Sequence, residues 1–314
     1  MTAPAFDVSR AHGGRDGGGR GGPEAPAPAL KAGRRRLLQS FPARTVKLTA
    51  FYATLTAMGC VFLVPYALTL FAAFKPVQQI FSQPPWDPPT SLDFHNISYD
   101  FSNEMFGRYL LNTFGVTAVL TAGQVCFGVL AAYAFARLSF PGRDKIFWMF
   151  LVTLMVPNAV TVVPLYSIMN EAHLLNTYWA IFLPYVLGSP YTIFLMRQFF
   201  RNIPQSLIDA ARVDGASEAR VLFRIVVPLS KPVIITATLI AIVFSWNNFL
   251  WPLIVANTQN HYVLTIGLAL FQTTMSAQWN YLLAGSVITL APLAVLFMVF
   301  QRHLIRSVTL TRPR

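Results

Sequence analysis

Six side-chain amides, Asn112, Gln124, Asn158, Asn170, Asn247 and Asn248, stand inside long apolar stretches of this chain. The chemistry open to an amide there is hydrogen bonding, because leaving it unpaired in an apolar medium costs roughly 2 to 7 kcal/mol. Each therefore needs a partner, either a neighbouring helix or a hydroxylated solute in passage. Trp246 and Trp251 bracket Asn247 and Asn248 and offer aromatic faces that suit a sugar ring, so Asn158, Trp246, Asn247 and Asn248 are the candidate solute path. Catalytic chemistry has little footing. Asp87, Asp93 and Asp100 lack metal spacing, and Cys60 and Cys126 sit in separate apolar runs without a C-x-x-C pattern, as expected of small buried hydrophobes. No G-x-x-x-x-G-K-[ST] phosphate loop is present, so the expectation is no catalytic residue, no metal and no cofactor bound by this chain.

The elements that position these amides belong to a membrane protein. The 314 residues are 54% apolar and only 11% charged, where a soluble domain carries roughly 25% charged residues. A bilayer core of about 30 Å takes about 20 apolar residues at 1.5 Å each. Six stretches qualify, at about 50–74, 109–136, 146–170, 176–196, 232–256 and 281–301. None contains Asp, Glu, Lys or Arg, and Pro232 to Gln301 has no such residue even in its loop. All but Lys75 and Arg108 of the 24 basic residues fall before the first stretch, between the second and third, between the fourth and fifth, or after the sixth. The remaining loops carry Asp87, Asp93, Asp100, Glu104 and Glu171. The positive-inside rule then predicts an all-α membrane protein of six transmembrane helices with both termini cytoplasmic. The net charge of +12 reflects this sorting and excludes nucleic acid as the partner.

The first 36 residues, rich in Gly, Pro, Ala and Arg, are expected to be disordered. No removable signal peptide is expected, which makes the first span an uncleaved anchor. Five of the spans hold proline: Pro65, Pro157 with Pro164, Pro184 with Pro190, Pro252 and Pro292. Each is either a kink that shapes packing or, for the pair around Asn158, a hinge lining a polar path. Gly123, Gly128, Ala131 and Ala132 in the second span predict close helix contact.

Between the fourth and fifth spans runs FFRNIPQSLIDAARVDGASEARVLFRIVVPLSKP. Pro204 suits a first helical turn, Asp214-Gly215 supplies a stop, and Ser217 can cap a second short helix with Glu218 in its first turn and Arg224 in its last. Two short helices outside the bilayer follow. Val221, Leu222, Phe223 and Ile225 give them apolar surface that needs a partner, within this chain or on another protein.

Asp209-Ala210-Ala211, then Gly215, Ile225 and Pro228 at their spacings, resemble the EAA loop of permease subunits in binding-protein-dependent ABC importers. The stretches from Leu130 to Asp144, Asn176 to Ala180, Phe194 to Phe200, Trp246 to Pro252 and Phe300 to Arg302 resemble its carbohydrate class, the six-span subunit of the maltose and glycerol-phosphate type. The resemblance covers about residues 50 to 310 and implies the type I ABC importer permease fold. It implies a cytoplasmic tail over 1–47, a first helix and external loop over 48–106, and a transmembrane core over 107–302. The core would hold the EAA loop at 203–229, and a C-terminal tail would span 303–314. It implies a prokaryotic inner-membrane subunit passing a sugar, or a related solute such as a glycerol phosphate, from an extracytoplasmic binding protein to the cytoplasm. The implied partners are a homologous second permease, two ATPase subunits that use ATP and Mg, the solute-binding protein and the lipid bilayer. Coupling residues on this resemblance are Asp209, Ala210, Ala211, Asp214, Gly215, Ser217, Ile225 and Pro228; Asp209 departs from the motif's Glu by one methylene. The loop from Asn257 to Asn280, with Leu264 to Leu268, resembles the element that touches the binding protein. Two other classes are weighed against this one. An ion-coupled secondary transporter wants an intramembrane carboxylate or histidine, whereas His173 and His261 fall in external loops. A membrane-embedded glycosyltransferase wants interfacial acids, and the external Asp set is spaced as an ordinary solvated loop.

The charge asymmetry generates a direct test in sealed cells, with Cys60 and Cys126 replaced. His95→Cys should react with an impermeant thiol reagent and Ser217→Cys should not; the reverse pattern overturns the orientation.

Overall fold

The computed structural model describes the backbone of residues 30–103, 105–272 and 278–309, and the side chains of 45–102, 105–272 and 278–301. Most of the segment expected to be disordered, Glu104, part of the 257–280 loop and the last residues of the C-terminal tail lie outside the described residues. The first helix runs Leu30–Ala73, so residues 30–47 are helical where composition suggested tail. Beyond Gly33, Arg34 to Gln39 are Arg, Leu and Gln, all strong helix formers. The last helix, Trp279–Thr309, likewise extends into the expected C-terminal tail.

The chain divides into two compact units, Met1–Phe62 and Leu63–Arg314. In the first, Phe51, Tyr52, Met58, Val61 and Phe62 all project outward, as a lipid-facing helix requires. The second holds every other element. Among the described residues the regular structure is helical throughout. Four helices are long and apolar enough to cross a bilayer: Thr45–Ala73, Phe106–Arg137, Tyr178–Arg201 and Trp279–Gln301. Two bent pairs also pass by length and composition, Arg143–Met155 with Asn158–Glu171, which makes the third span, and Glu218–Leu229 with Lys231–Trp246, of which Lys231–Trp246 makes the fifth and Glu218–Leu229 belongs to the segment before it.

The breaks have chemical causes. The third span turns by 104° at Val156 and Pro157, where proline lacks an N–H and forces the residue before it out of the helical region. Val156 is accordingly extended, at φ −82° and ψ 118°. The fourth span passes through Gly188, at φ 121°, and restarts with Pro190 in its first turn. The fifth differs from the continuous 232–256 expected. It ends at Trp246, and a separate short helix covers Leu250–Val255. Pro252 accounts for this, since its ring would clash with the carbonyl of Asn248 in an unbroken helix.

Span two lies at the centre of the second unit. Its Gly128 touches Thr192 and Met196 of span four, and Ala132 is fully buried. Cys60 and Cys126 differ from expectation: both are exposed on their helices. Gly123 is the tightest point, because a Cβ there would stand 2.6 Å from the Val186 carbonyl oxygen. Gly123→Ala should therefore cost about 1 to 3 kcal/mol through overpacking, read as a lowered melting temperature of the purified chain. Gly115→Ala, whose Cβ meets open space, should lose nothing, and equal losses at both positions would refute the close-approach account.

Candidate functional site

The segment between spans four and five forms the expected pair of short helices, Gln205–Val213 and Glu218–Val221, the second continuing into a π-helical stretch at Leu222–Val226. Gly215 makes the turn at φ 78°, with open space where a side chain would go. The Ser217 hydroxyl accepts from the Arg220 amide at 3.4 Å and caps the second helix. Partnership of the apolar face is split. Ile208, Val221, Leu222 and Val226 are buried with Ala132, Met196 and Phe200 of spans two and four, while Leu207, Val213 and Phe223 are exposed. Asp209, Ala210, Asp214, Gly215 and Pro228 are exposed on the outer surface, and Ala211 and Ile225 are half-buried.

A set of polar contacts outside the sequence-based candidates ties this element to the spans. The Tyr133 hydroxyl of span two donates to Glu218 Oε2 at 2.5 Å. Arg212 donates from Nε to Glu218 Oε1 at 3.0 Å and lies 3.7 Å from Asp209 Oδ1, which also accepts from Gln205 Nε2 at 2.9 Å. These exposed pairs are each worth roughly 0.2 to 1 kcal/mol; their sum fixes orientation more than stability. Arg137, at the end of span two, donates to the Phe200 and Ile203 carbonyls and to Gln205 Oε1. Arg197 of span four reciprocates: its Nε donates to the Phe135 carbonyl at 3.1 Å, and its guanidinium lies 3.8 Å over the Phe147 ring and 3.3 Å from Asp144. Each arginine bonds carbonyls at or just past the end of the other's helix, which ties these ends of spans two and four together. Tyr133, Arg137 and Asp144 all lie within the Leu130 to Asp144 stretch that carried the resemblance, which was the available signal.

The candidate path residues are not brought together. Asn158 lines a cavity of about 580 Å³ between spans two, three, four and five, together with Gln124, Tyr185, Tyr191 and Thr192. Trp246 instead lines a separate apolar cavity of about 350 Å³, and its Nε1 donates to the Thr289 carbonyl at 3.1 Å. Asn247 is exposed and donates to Val243 of its own helix at 2.8 Å, and the Asn248 carbonyl accepts from Thr265 at 2.9 Å. Asn112 is a structural tie, donating to the Asn260 and Tyr262 carbonyls at 2.8 Å. In the external loop, Leu264 and Ile266 are buried in the chain's own core, with Phe106, Tyr109 and Phe271 close by.

A multi-pass helical chain with a partly polar cavity at its helix breaks and a two-helix segment packed on two of its spans has the make-up of a membrane transport subunit. Residues 124–310 match the model of the binding-protein-dependent transport system inner membrane components, and the chain belongs to that family. It is 35% identical over 222 residues to the arabinooligosaccharides transport system permease protein AraQ of Halalkalibacterium halodurans, covering 70% of this chain and 79% of that protein. It is 32% identical over 253 residues to the sn-glycerol-3-phosphate transport system permease protein UgpE of Yersinia pestis, covering 78% and 90%. A solved bacterial ABC transporter involved in the import of the acidic polysaccharide alginate has the same fold. Its TM-score is 0.70 at 20% identity, over 88% of this chain and 99% of that one.

The placements separate Trp246 from Asn247 experimentally. Trp246→Phe removes a buried hydrogen bond and should cost about 0.5 to 1.5 kcal/mol, whereas Asn247→Leu should stay within about 0.5 kcal/mol. Thermal denaturation of the purified chain reads both, and a larger loss at Asn247 would show that its amide serves a neighbour.

Proposed function

We propose that this chain is a six-span permease subunit that passes a sugar, or a related solute such as a glycerol phosphate, from an extracytoplasmic binding protein into the cytoplasm. It pairs with a homologous second permease and is driven by two ATPase subunits that use ATP and Mg, with no ATPase site of its own. Both termini and the lever formed by the two-helix segment face the cytoplasm. The relatives named as permeases of arabinooligosaccharide and sn-glycerol-3-phosphate systems support the solute class.

The observation that carries the proposal is the division of the lever into two faces. Its inner face is anchored to spans two and four, and its outer face presents Asp209, Ala210 and Gly215 to a partner. A groove of an ATPase closing on that outer face would pull Glu218 and, through Tyr133, span two. Asp214, Ser217, Ile225 and Pro228 shape the turn, cap and exit of the lever. Asp209 carries the shorter carboxylate that reaches a basic group of the ATPase, braced by Gln205 and Arg212.

Two substitutions at one position test this on the complex co-purified and reconstituted with its partners. Gly215→Ala introduces positive-φ strain of about 1 to 2 kcal/mol into open space and should retain uptake. Gly215→Trp carries the same strain plus bulk on the docking face, and should abolish ATP-driven uptake and ATPase co-purification while membrane insertion stays intact. A Gly215→Trp chain that transports like Gly215→Ala would place the coupling surface elsewhere.

A further inference from the structure

Two independent helix breaks, at Val156 to Asn158 and at Leu187 to Ser189, open on the same cavity of about 580 Å³. Each break leaves a helix C-terminus with orphan carbonyls beside a helix N-terminus with orphan amides. In lipid such groups persist only where protein or a polar cavity meets them. Pro190 at the start of its helix carries no N–H, and the Ser189 side chain makes no capping bond, so the amides of this turn, at the edge of the cavity, have no side-chain cap. Gln124, 3% exposed, donates to the Tyr185 carbonyl at 3.1 Å and closes one of the acceptors. Thr192, 2% exposed, lines the cavity and brings a hydroxyl-bearing side chain to it. Asn158, Tyr185 and Tyr191 add polar and aromatic groups beside the apolar Val156, Ile240 and Phe244, and among the described residues no Asp, Glu, Lys, Arg or His lines it.

We infer that this cavity is a solute site selective for an uncharged, polyhydroxylated molecule, a neutral saccharide, over a phosphorylated or carboxylated one. The inference rests on the importer function proposed above and narrows its solute. The wall offers donors and acceptors side by side: amides and hydroxyls on one hand, carbonyls and amide oxygens on the other. A sugar hydroxyl is both donor and acceptor and satisfies either kind. A phosphate or carboxylate is acceptor-only, repels the carbonyl ends of the two breaks, and finds no cation to replace its water. Because each break sets the negative end of one helix beside the positive end of the next, the partial charges of the two ends offset each other and leave little net field for an anion. The Tyr185 and Tyr191 rings give apolar faces for the C–H side of a pyranose or furanose ring.

The test uses the full chain in lipid nanodiscs with Cys60 and Cys126 replaced by Ala. Asn158→Cys is the reporter inside the cavity, Tyr191→Cys a second reporter at its rim, and Phe223→Cys the control on the lever. The rate of reaction with a small methanethiosulfonate reagent is measured with maltotriose, arabinotriose or glycerol 3-phosphate present. A neutral trisaccharide should slow both reporters, by about threefold when present at twice its dissociation constant, and leave Phe223→Cys unchanged. Glycerol 3-phosphate at the same concentration should slow none of them. Equal protection by glycerol 3-phosphate overturns the selectivity, and absence of protection by either trisaccharide overturns the site. If protection fails while the Gly215 variants still separate in uptake, the importer function stands without this site. If protection holds while those variants transport alike, the lever is wrong and the site survives.

Discussion

A carbonyl or amide released from its helix inside a bilayer has no water to turn to, and the donors this chain sends to such groups hold its parts together. Gln124 reaches the Tyr185 carbonyl, Trp251 the Ala180 carbonyl at 2.9 Å, Trp246 the Thr289 carbonyl, and Asn112 two carbonyls of the external loop. These are contacts from a side chain on one span to the backbone of another. Between apolar helices in lipid the hydrophobic effect gives little preference for one neighbour over another, so such bonds, with the close approach at Gly123, select the arrangement.

The same device, strengthened by charge, is used at the cytoplasmic end. Arg137 and Arg197 each cap the neighbouring helix's last turn, and both sit where a long side chain can keep its head near water. The consequence is mechanical. Spans two and four and the base of the two-helix lever share one set of bonds, which runs from Gln205–Val213 to the segments that end at the breaks at Pro157 and Gly188. The bonded region ends where the cavity begins.

Hydropathy located all six spans and their charge sorting, because twenty apolar residues in a row are a strong signal that tertiary context seldom overrides. The lever was also legible: Gly215 and Ser217 act locally, through φ preference and capping, and the structure finds both as expected, while Pro204 stands at the N-cap, extended, and not inside the first turn. The breaks were only half legible. Proline marked where spans three and four could bend but not by how much, and the apolar run through Pro252 concealed that span five stops at Trp246. What the sequence concealed most was pairing. Nothing local says that Tyr133 meets Glu218, 85 residues on, or that Asn158 shares a wall with Gln124 while Asn247 turns back on its own helix.

From Pro232 to Gln301 the chain has no formally charged side chain. Moving one elementary charge across a membrane potential is worth about 2.3 kcal/mol per 100 mV. Helices that carry no charge can shift within the field without electrical work, and so can an uncharged solute. Spans five and six can therefore reorient at the same electrical cost in an energised cell as in a de-energised one.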